Sequence, residues 1–357
     1  MADIRLIDAG MVSYLRSQTI YHALAYAKEP ETPDTVVLDI PAEPYVCIGF
    51  HQSLETEVDL SFCKSQGIPV VRRETGGGTV YLDSGQLFAQ WVFEPNHLPR
   101  KIDSRFQLFI KPLVETYKFF GIRAHYHPPN DVHVRNRKIT GTGAAAIGQA
   151  EVVTGNFLFD FNNEVMAKVL KVPDESFREK VLDSLDKYMA TMKRELGTLP
   201  GLEEVKGIYI KKCSEALGRK LVPGAFTDEE VRAMERLDKK FLTEEWLGQY
   251  QMPENISRRV KIHAGVWLHE TGYETEGGVI RMAIRTKGNL LDHLSITGDF
   301  SFKPEARLRG LEKLLRNVEL SENSLKEAIE AFYELHEIDS PGIVAEDWVK
   351  AILQVKN

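Results

Sequence analysis

Two short runs of this sequence carry residue types suited to chemistry on an anion. The first is Arg72-Arg73-Glu74-Thr75-Gly76-Gly77-Gly78-Thr79-Val80-Tyr81. Its consecutive glycines leave backbone N–H groups that no Cβ shields, so the stretch can lie flat against a planar or anionic ligand. Arg72 and Arg73 add permanent positive charge and forked donors matched to phosphate or carboxylate. The same run also fits a flexible turn beside two surface arginines, and triple glycine alone does not separate these readings. The second run is Arg137-Lys138-Ile139-Thr140-Gly141-Thr142-Gly143. Strand alternation puts Lys138 and Thr140 on one face and Ile139 on the other. A lysine followed by small residues can reach into a cleft with room beside it for a ligand, although most lysines are simply solvated. Asn130-Asp131 opens the preceding strand. Asn can hold a carbonyl, and Asp can help hold Mg2+ together with substrate phosphates; taken alone, after Pro128-Pro129, the pair reads more simply as a turn.

Other chemistries find less support. Gly141, Gly143 and Ala146 match a loose dinucleotide fingerprint, but the segment before them reads as a hairpin rather than the opening strand of a β-α-β unit. The histidines show no metal-site spacing, and no Gly-x-Ser-x-Gly elbow occurs. Cys47, Cys63 and Cys213 have no paired spacing, which argues against a disulfide framework or a zinc site and fits a reducing compartment. With 45 Lys+Arg against 52 Asp+Glu the net charge is −7, and the basic residues are scattered. Nucleic acid is therefore not expected as the main partner, while a local basic cleft for a partner protein remains open. The first residues are charged and lack the apolar core of a signal peptide. No run of about 18 apolar residues occurs, so no membrane span is expected and the expected location is cytoplasmic.

The elements that must position these runs follow from periodicity. Residues 11–28 read as an amphipathic helix with Asp8 as an upstream cap. Strands are predicted at 35–40, 45–48, 69–73, 79–81 and 87–93, with a short helix at 58–66. Ser104 is predicted to cap a helix whose buried stripe includes Phe106, Phe109, Ile110, Leu113 and Tyr117, ended by Gly121. Strands follow at 132–134, 138–140 and 156–161. Strands and helices mix without strict alternation, which predicts an α+β domain. Residues 174–250 read as mostly helical, 251–255 as a linker, and 256–357 as a small α+β accessory domain: a three-strand meander, then three helices. The expected division is thus a catalytic domain over 1–250 and an accessory domain over 256–357.

Taken together and in order, these elements resemble the lipoate–protein ligase family, relatives of the biotin ligases. The family's early strand ends in I-G-x-x-Q, matched by Ile48-Gly49-Phe50-His51-Gln52; its R-R-x-S/T-G-G-G-x-V-Y/F-H-D signature is matched by 72–83. Its N-D pair matches Asn130-Asp131, and its K-x-S/T-G motif matches Lys138-Ile139-Thr140-Gly141. Two positions depart: Leu82 stands where the family usually has His, and Thr154-Gly155 stands where it usually has His-Gly. The resemblance implies an ATP-dependent ligase that forms lipoyl-AMP, with ATP and Mg2+ as cofactors. Its acceptor would be a lipoyl-domain protein: a 2-oxoacid dehydrogenase subunit, a glycine-cleavage H protein or a specialised lipoate-binding protein. It implies Lys138 as the catalytic residue and Asp131 as the Mg2+ carboxylate. The implied substrate and nucleotide residues are Arg72, Arg73, Gly76, Gly77, Gly78, Thr79, Val80, Tyr81, Asn130, Asp131, Thr140, Gly141 and Gly155. The octanoyl transferases of the same superfamily attack with a cysteine, and none lies between Cys63 and Cys213. Ligase is therefore expected over transferase, with a non-catalytic lipoate binder or a nucleotide-dependent oxidoreductase as further alternatives.

Overall fold

Strands Thr35–Pro41 and Gln86–Phe93 are buried along their whole length, as the central strands of a sheet covered on both faces must be. They sit in a six-stranded mixed sheet ordered Thr142–Ile147, Ala150–Leu158, Gln86–Phe93, Thr35–Pro41, Ile4–Val12, Leu221–Pro223. Pairing is antiparallel from the first strand to Thr35–Pro41 and parallel beyond it. This computed structural model describes residues 2–172, 175–250, 259–263 and 266–356; the linker expected at 251–255 lies outside the described residues. The chain divides into two compact units: 1–47, 58–74 and 80–247 form one, and 48–57, 75–79 and 248–357 the other.

In the first unit, helix Ile102–Phe119 lays Phe106, Phe109, Ile110, Leu113 and Tyr117 onto the sheet face carrying Leu38, Ala89, Trp91 and Phe157. Each fully buried side chain of this size contributes about 1.5–3 kcal/mol relative to exposure, so this face anchors the unit. Helix Arg16–Tyr26 covers the opposite face, where the Gln90 amide donates to the Ser17 carbonyl at 3.0 Å. Two small sheets complete the unit: Val70–Arg72, Tyr45–Ile48 and Val80–Leu82, and Ala124–His127, Asp131–Val134 and Arg137–Thr140. Among the described residues, no helix is long and apolar enough to cross a membrane.

Several expectations shift. The chain opens with strand Ile4–Val12, and the helix begins only at Arg16. Asp8 caps nothing: its carboxylate receives the Lys206 amine at 2.9 Å. The long helix starts at Ile102, so Ser104 lies inside it. Residues 142–147, which carried no predicted element, form a strand paired along its length with Ala150–Leu158.

In the second unit, among the described residues, the meander has four strands where three were expected: Arg259–His263, Val266–Thr275, Gly278–Lys287 and Leu290–Gly298. Helices Leu308–Leu314, Glu322–Leu335 and Ala345–Leu353 close a core built on Ile284, Ile296, Phe332 and Trp348. The triple glycine belongs here. The Gly77 N–H donates to the Phe300 carbonyl at 3.3 Å, and the His51 ring stacks on Phe300 at 5.4 Å. A Cβ on Gly76 would stand 2.7 Å from that carbonyl oxygen, closer than real Cβ atoms approach.

Candidate active site

The lysine motif lies on the edge strand of the sheet Ala124–His127, Asp131–Val134, Arg137–Thr140. Alternation sends Ala124, Val132, Val134 and Ile139 into the core. On the other side Lys138 Nζ approaches Asp131 Oδ1 at 2.7 Å, as an ion pair without the alignment of a directed hydrogen bond. The Lys138 side chain is 38% exposed, so its amine meets solvent and can meet a ligand. Its backbone is fixed by the Ala190 N–H, which donates to the Lys138 carbonyl at 2.8 Å. Burial pushes the Asp131 carboxyl up, but Lys138 and His133 outweigh it and hold the group below the ordinary carboxylate range. His133 Nε2 lies 3.8 Å from Asp131 Oδ2, and the His127 ring stacks on His133 at 4.0 Å.

Gly141 gives the lysine room: a Cβ there would stand 3.3 Å from Lys138 Cε and 3.5 Å from Nζ. Thr140, expected to share the lysine's open face, is fully buried. Its hydroxyl donates to the Asn156 carbonyl at 2.8 Å and meets the Tyr117 hydroxyl at 3.0 Å. Asn130, just before strand Asp131–Val134, ties it to strand Thr142–Ile147 of the six-stranded sheet, donating from Nδ2 to the Thr142 carbonyl at 3.1 Å, while the Thr142 hydroxyl donates to the Asn130 carbonyl. Gly155 lies against the Phe109 ring, 2.7 Å from where a Cβ would sit, so packing alone demands glycine there.

The arginine–glycine run is held at both ends of its first half. Arg72 is buried; its Nε and Nη2 donate to the Leu247 carbonyl at 3.1 and 2.5 Å, and the Trp246 indole donates to the Arg72 carbonyl at 3.0 Å. Arg73 Nη1 donates to the Cys47 carbonyl at 3.2 Å. The Glu74 N–H donates to His22 Nε2 at 3.1 Å; burial drives His22 down to about 3, so it stays neutral and can accept. Thr79 donates to Gln52 Oε1 at 3.2 Å. Val80 and Tyr81 continue into the strand paired with Tyr45–Ile48. Leu82, standing where a histidine was expected, is buried.

Gln86 and Asn156 were missed as site residues. Gln86 Nε2 donates to the Tyr81 carbonyl at 3.2 Å, Asn156 Nδ2 donates to Gln86 Oε1 at 2.9 Å, and the Gly141 N–H donates to Asn156 Oδ1 at 3.4 Å. Gly85-Gln86 resembles a pair in the octanoyl transferases, but nothing in the sequence signals Asn156: two amides 70 residues apart meet only through the sheet register Asn156↔Phe88.

No reactive thiol is available. All three cysteines are buried. Burial raises Cys47 against the pull of Arg73, takes Cys63 to about 11 and Cys213 to about 12. Among the described residues no group of three or more His, Cys, Asp or Glu is arranged to hold a metal ion. A single carboxylate suffices for Mg2+ when phosphates and water supply the other ligands, and Asp131 fits that donor set.

A mixed sheet with a lysine on a small flanking sheet is the lipoate ligase fold. Residues 14–214 match the lipoyl protein ligase A/B catalytic domain, and the chain belongs to that family. It is 30% identical over 246 residues to lipoate-protein ligase A subunit 1 of Thermoplasma acidophilum, covering 66% of this chain and 90% of the relative. It is 25% identical over 266 residues to the octanoyltransferase LipM of Kyrpidia tusciae, covering 68% of this chain and 97% of that protein. The family's relatives of this chain therefore include both ligases and octanoyltransferases. Among solved structures, it resembles a T. acidophilum bi-partite lipoate protein ligase described with its E2 lipoyl domain: TM-score 0.64, 27% identity, 72% of this chain and 100% of that one.

Proposed function

We propose that this chain is an ATP-dependent lipoate–protein ligase. The lipoate carboxylate attacks the α-phosphorus of ATP, pyrophosphate leaves and lipoyl-AMP forms. The amine of an acceptor lysine then attacks the acyl carbonyl, loses a proton, and AMP departs. Both reactants of the first step are anions, so charge neutralisation dominates the barrier. Lys138 holds the carboxylate against the α-phosphate and then stabilises the oxyanion of the second step. Arg73 serves the phosphate or acyl carbonyl, whereas Arg72, buried on the Leu247 carbonyl, is withdrawn from that role and braces the strand beneath it. Val80 and Tyr81 line the acyl groove, and Asn130, Thr140, Gly141 and Gly155 shape the lysine's side of it; Gly76, Gly77, Gly78 and Thr79 are assigned to the acyl and nucleotide groups by the family's glycine signature alone. When bound, Mg2+ neutralises charge between phosphates, and Asp131 is the carboxylate that would hold it.

One observation carries this reading: the ammonium of Lys138 stands on Asp131 at 2.7 Å in space cleared by Gly141, in a chain whose thiols are all buried. The E2 lipoyl domain named with the Thermoplasma relative supports a lipoyl-domain acceptor. Octanoyl transfer is the second reading, favoured by the LipM relative; it needs a nucleophile that the buried cysteines do not offer. The test is pyrophosphate release on mixing the protein with lipoate, ATP and Mg2+, followed by the intact mass of an acceptor domain. Lys138→Ala is expected to lower turnover by about 10²–10³, as loss of one oxyanion donor does, with an unchanged unfolding midpoint. Wild-type-like turnover in that variant removes Lys138 from the mechanism. Acceptor modification from an octanoyl carrier without ATP replaces the ligase reading by the second.

A further inference from the structure

Lys138 acts through an amine at the end of a long side chain, so its placement depends on what fixes the backbone around it. On the strand side that is Ala190. Tyr117 and pairing with Asp131–Val134 steady the strand itself, and beyond it Asn156 holds the Thr140–Gly141 step twice. Its main-chain carbonyl takes the Thr140 hydroxyl at 2.8 Å, and its side-chain oxygen takes the Gly141 N–H at 3.4 Å. Its amide nitrogen is spent on Gln86 Oε1 at 2.9 Å, and the Gln86 amide nitrogen on the Tyr81 carbonyl at 3.2 Å. Gln86 and Asn156 are both buried, so solvent cannot replace these bonds. The chain of contacts runs from the end of the glycine signature to the glycine that makes room for the lysine.

We propose that Asn156 and Gln86 are positioning residues, which set the Lys138 amine relative to the Val80–Leu82 arm of the substrate groove. Neither touches the reacting atoms. The inference rests on the ligase reading, and it explains why the step after Lys138 is built from a buried hydroxyl and a bare glycine. Buried amides of this kind hold geometry because leaving their partners would strand polar groups away from water. A shift of the order of 1 Å in a positioned group costs up to about 10²-fold in rate.

The test compares pyrophosphate release by the full-length protein and by Asn156→Ala, Gln86→Ala and Asn156→Asp, with lipoate and ATP varied separately. Asn156→Ala and Gln86→Ala are expected to lower kcat about tenfold or more, with KM for ATP and lipoate within about twofold, the pattern of an interaction realised only in the transition state. Asn156→Asp keeps an acceptor for the Gly141 N–H but loses the donor to Gln86 Oε1, and is expected to recover part of the loss seen in Asn156→Ala. A purely structural role would lower the active fraction without this rescue. Active-fraction titration by single-turnover adenylate formation corrects for misfolding in Asn156→Ala, and Gln86→Ala tests the same link from a different strand. Unchanged kcat per active site in both alanine variants overturns the inference while leaving the ligase reading standing. No pyrophosphate release by the unaltered protein overturns the ligase reading and this inference with it.

Discussion

Replacing Gly141 by alanine tests whether the room beside Lys138 matters. The new methyl would stand 3.3 Å from Lys138 Cε and 3.5 Å from Nζ, whereas carbon atoms in contact prefer about 3.5–4.0 Å. The end of the lysine must therefore move by up to about 0.5 Å. At an effective dielectric near 20, stretching the 2.7 Å pair to Asp131 by that amount weakens it from about 6 to about 5 kcal/mol. The loss of about 1 kcal/mol is about fivefold in rate if it transfers to the bound anion. Because the Lys138 side chain is 38% exposed, solvent screening trims this share. Misalignment of the amine in the transition state adds to it. The expected fall in kcat is about 5- to 50-fold, below that of Lys138→Ala. Gly141 is not among the residues with positive φ, so alanine enters without backbone strain and the unfolding midpoint should hold or rise slightly. Stopped-flow pyrophosphate release at saturating ATP and lipoate reads the effect. Wild-type kcat in Gly141→Ala would refute the argument that this cleared space fixes the amine.

Other outcomes follow from burial. Asp39 is wholly buried with both carboxylate oxygens unpartnered, and burial raises its carboxyl well above the ordinary value. The folded chain thus binds this proton more tightly than the unfolded one. Its contribution is complete below about pH 4 and is lost as pH rises toward the folded value, at up to about 1.4 kcal/mol per unit. Asp39→Asn should flatten urea-derived stability between pH 5 and 8, and an unaltered slope would count against this account. Gly155→Ala drives a methyl to 2.7 Å from the Phe109 ring and should cost about 1–3 kcal/mol by chemical denaturation; a neutral result would mean the helix yields more easily than its packing suggests. Iodoacetamide under native conditions should label Cys47, Cys63 and Cys213 slowly and leave pyrophosphate release unchanged; rapid loss of activity on alkylation would reopen a thiol mechanism.

The parts of the site that could be read in the sequence are those whose chemistry is local. The arginine–glycine run, the Asn130-Asp131 pair and the lysine motif each declare themselves by residue type within a few positions. The long helix was legible because Phe106, Phe109, Ile110, Leu113 and Tyr117 repeat at helical spacing and are buried together. What stayed hidden depends on distant pairing. Strand Ile4–Val12 carries a bulge between Asp8 and Gly10, so its alternation breaks and Val12 joins the apolar spacing of the helix behind it. Residues 142–147 have little strand propensity of their own and become a strand only because Ala150–Leu158 offers a full ladder. Leu221–Pro223 is read as a strand only through its pairing with Ile4–Val12. The role of Arg72 also needed the fold: the forked donors that suggest an anion partner reach the carbonyl of Leu247, 175 residues away.

The burial of every thiol bears on the substrate as well as on the nucleophile. Oxidised lipoate carries a strained ring disulfide, and any exposed thiolate nearby would open it by exchange and leave a mixed disulfide on the protein. A chain whose sulfhydryls are sealed in its interior and held protonated can hold such a ring without reacting with it. On the proposed ligase reading, the closed ring would therefore survive binding without exchange with the protein.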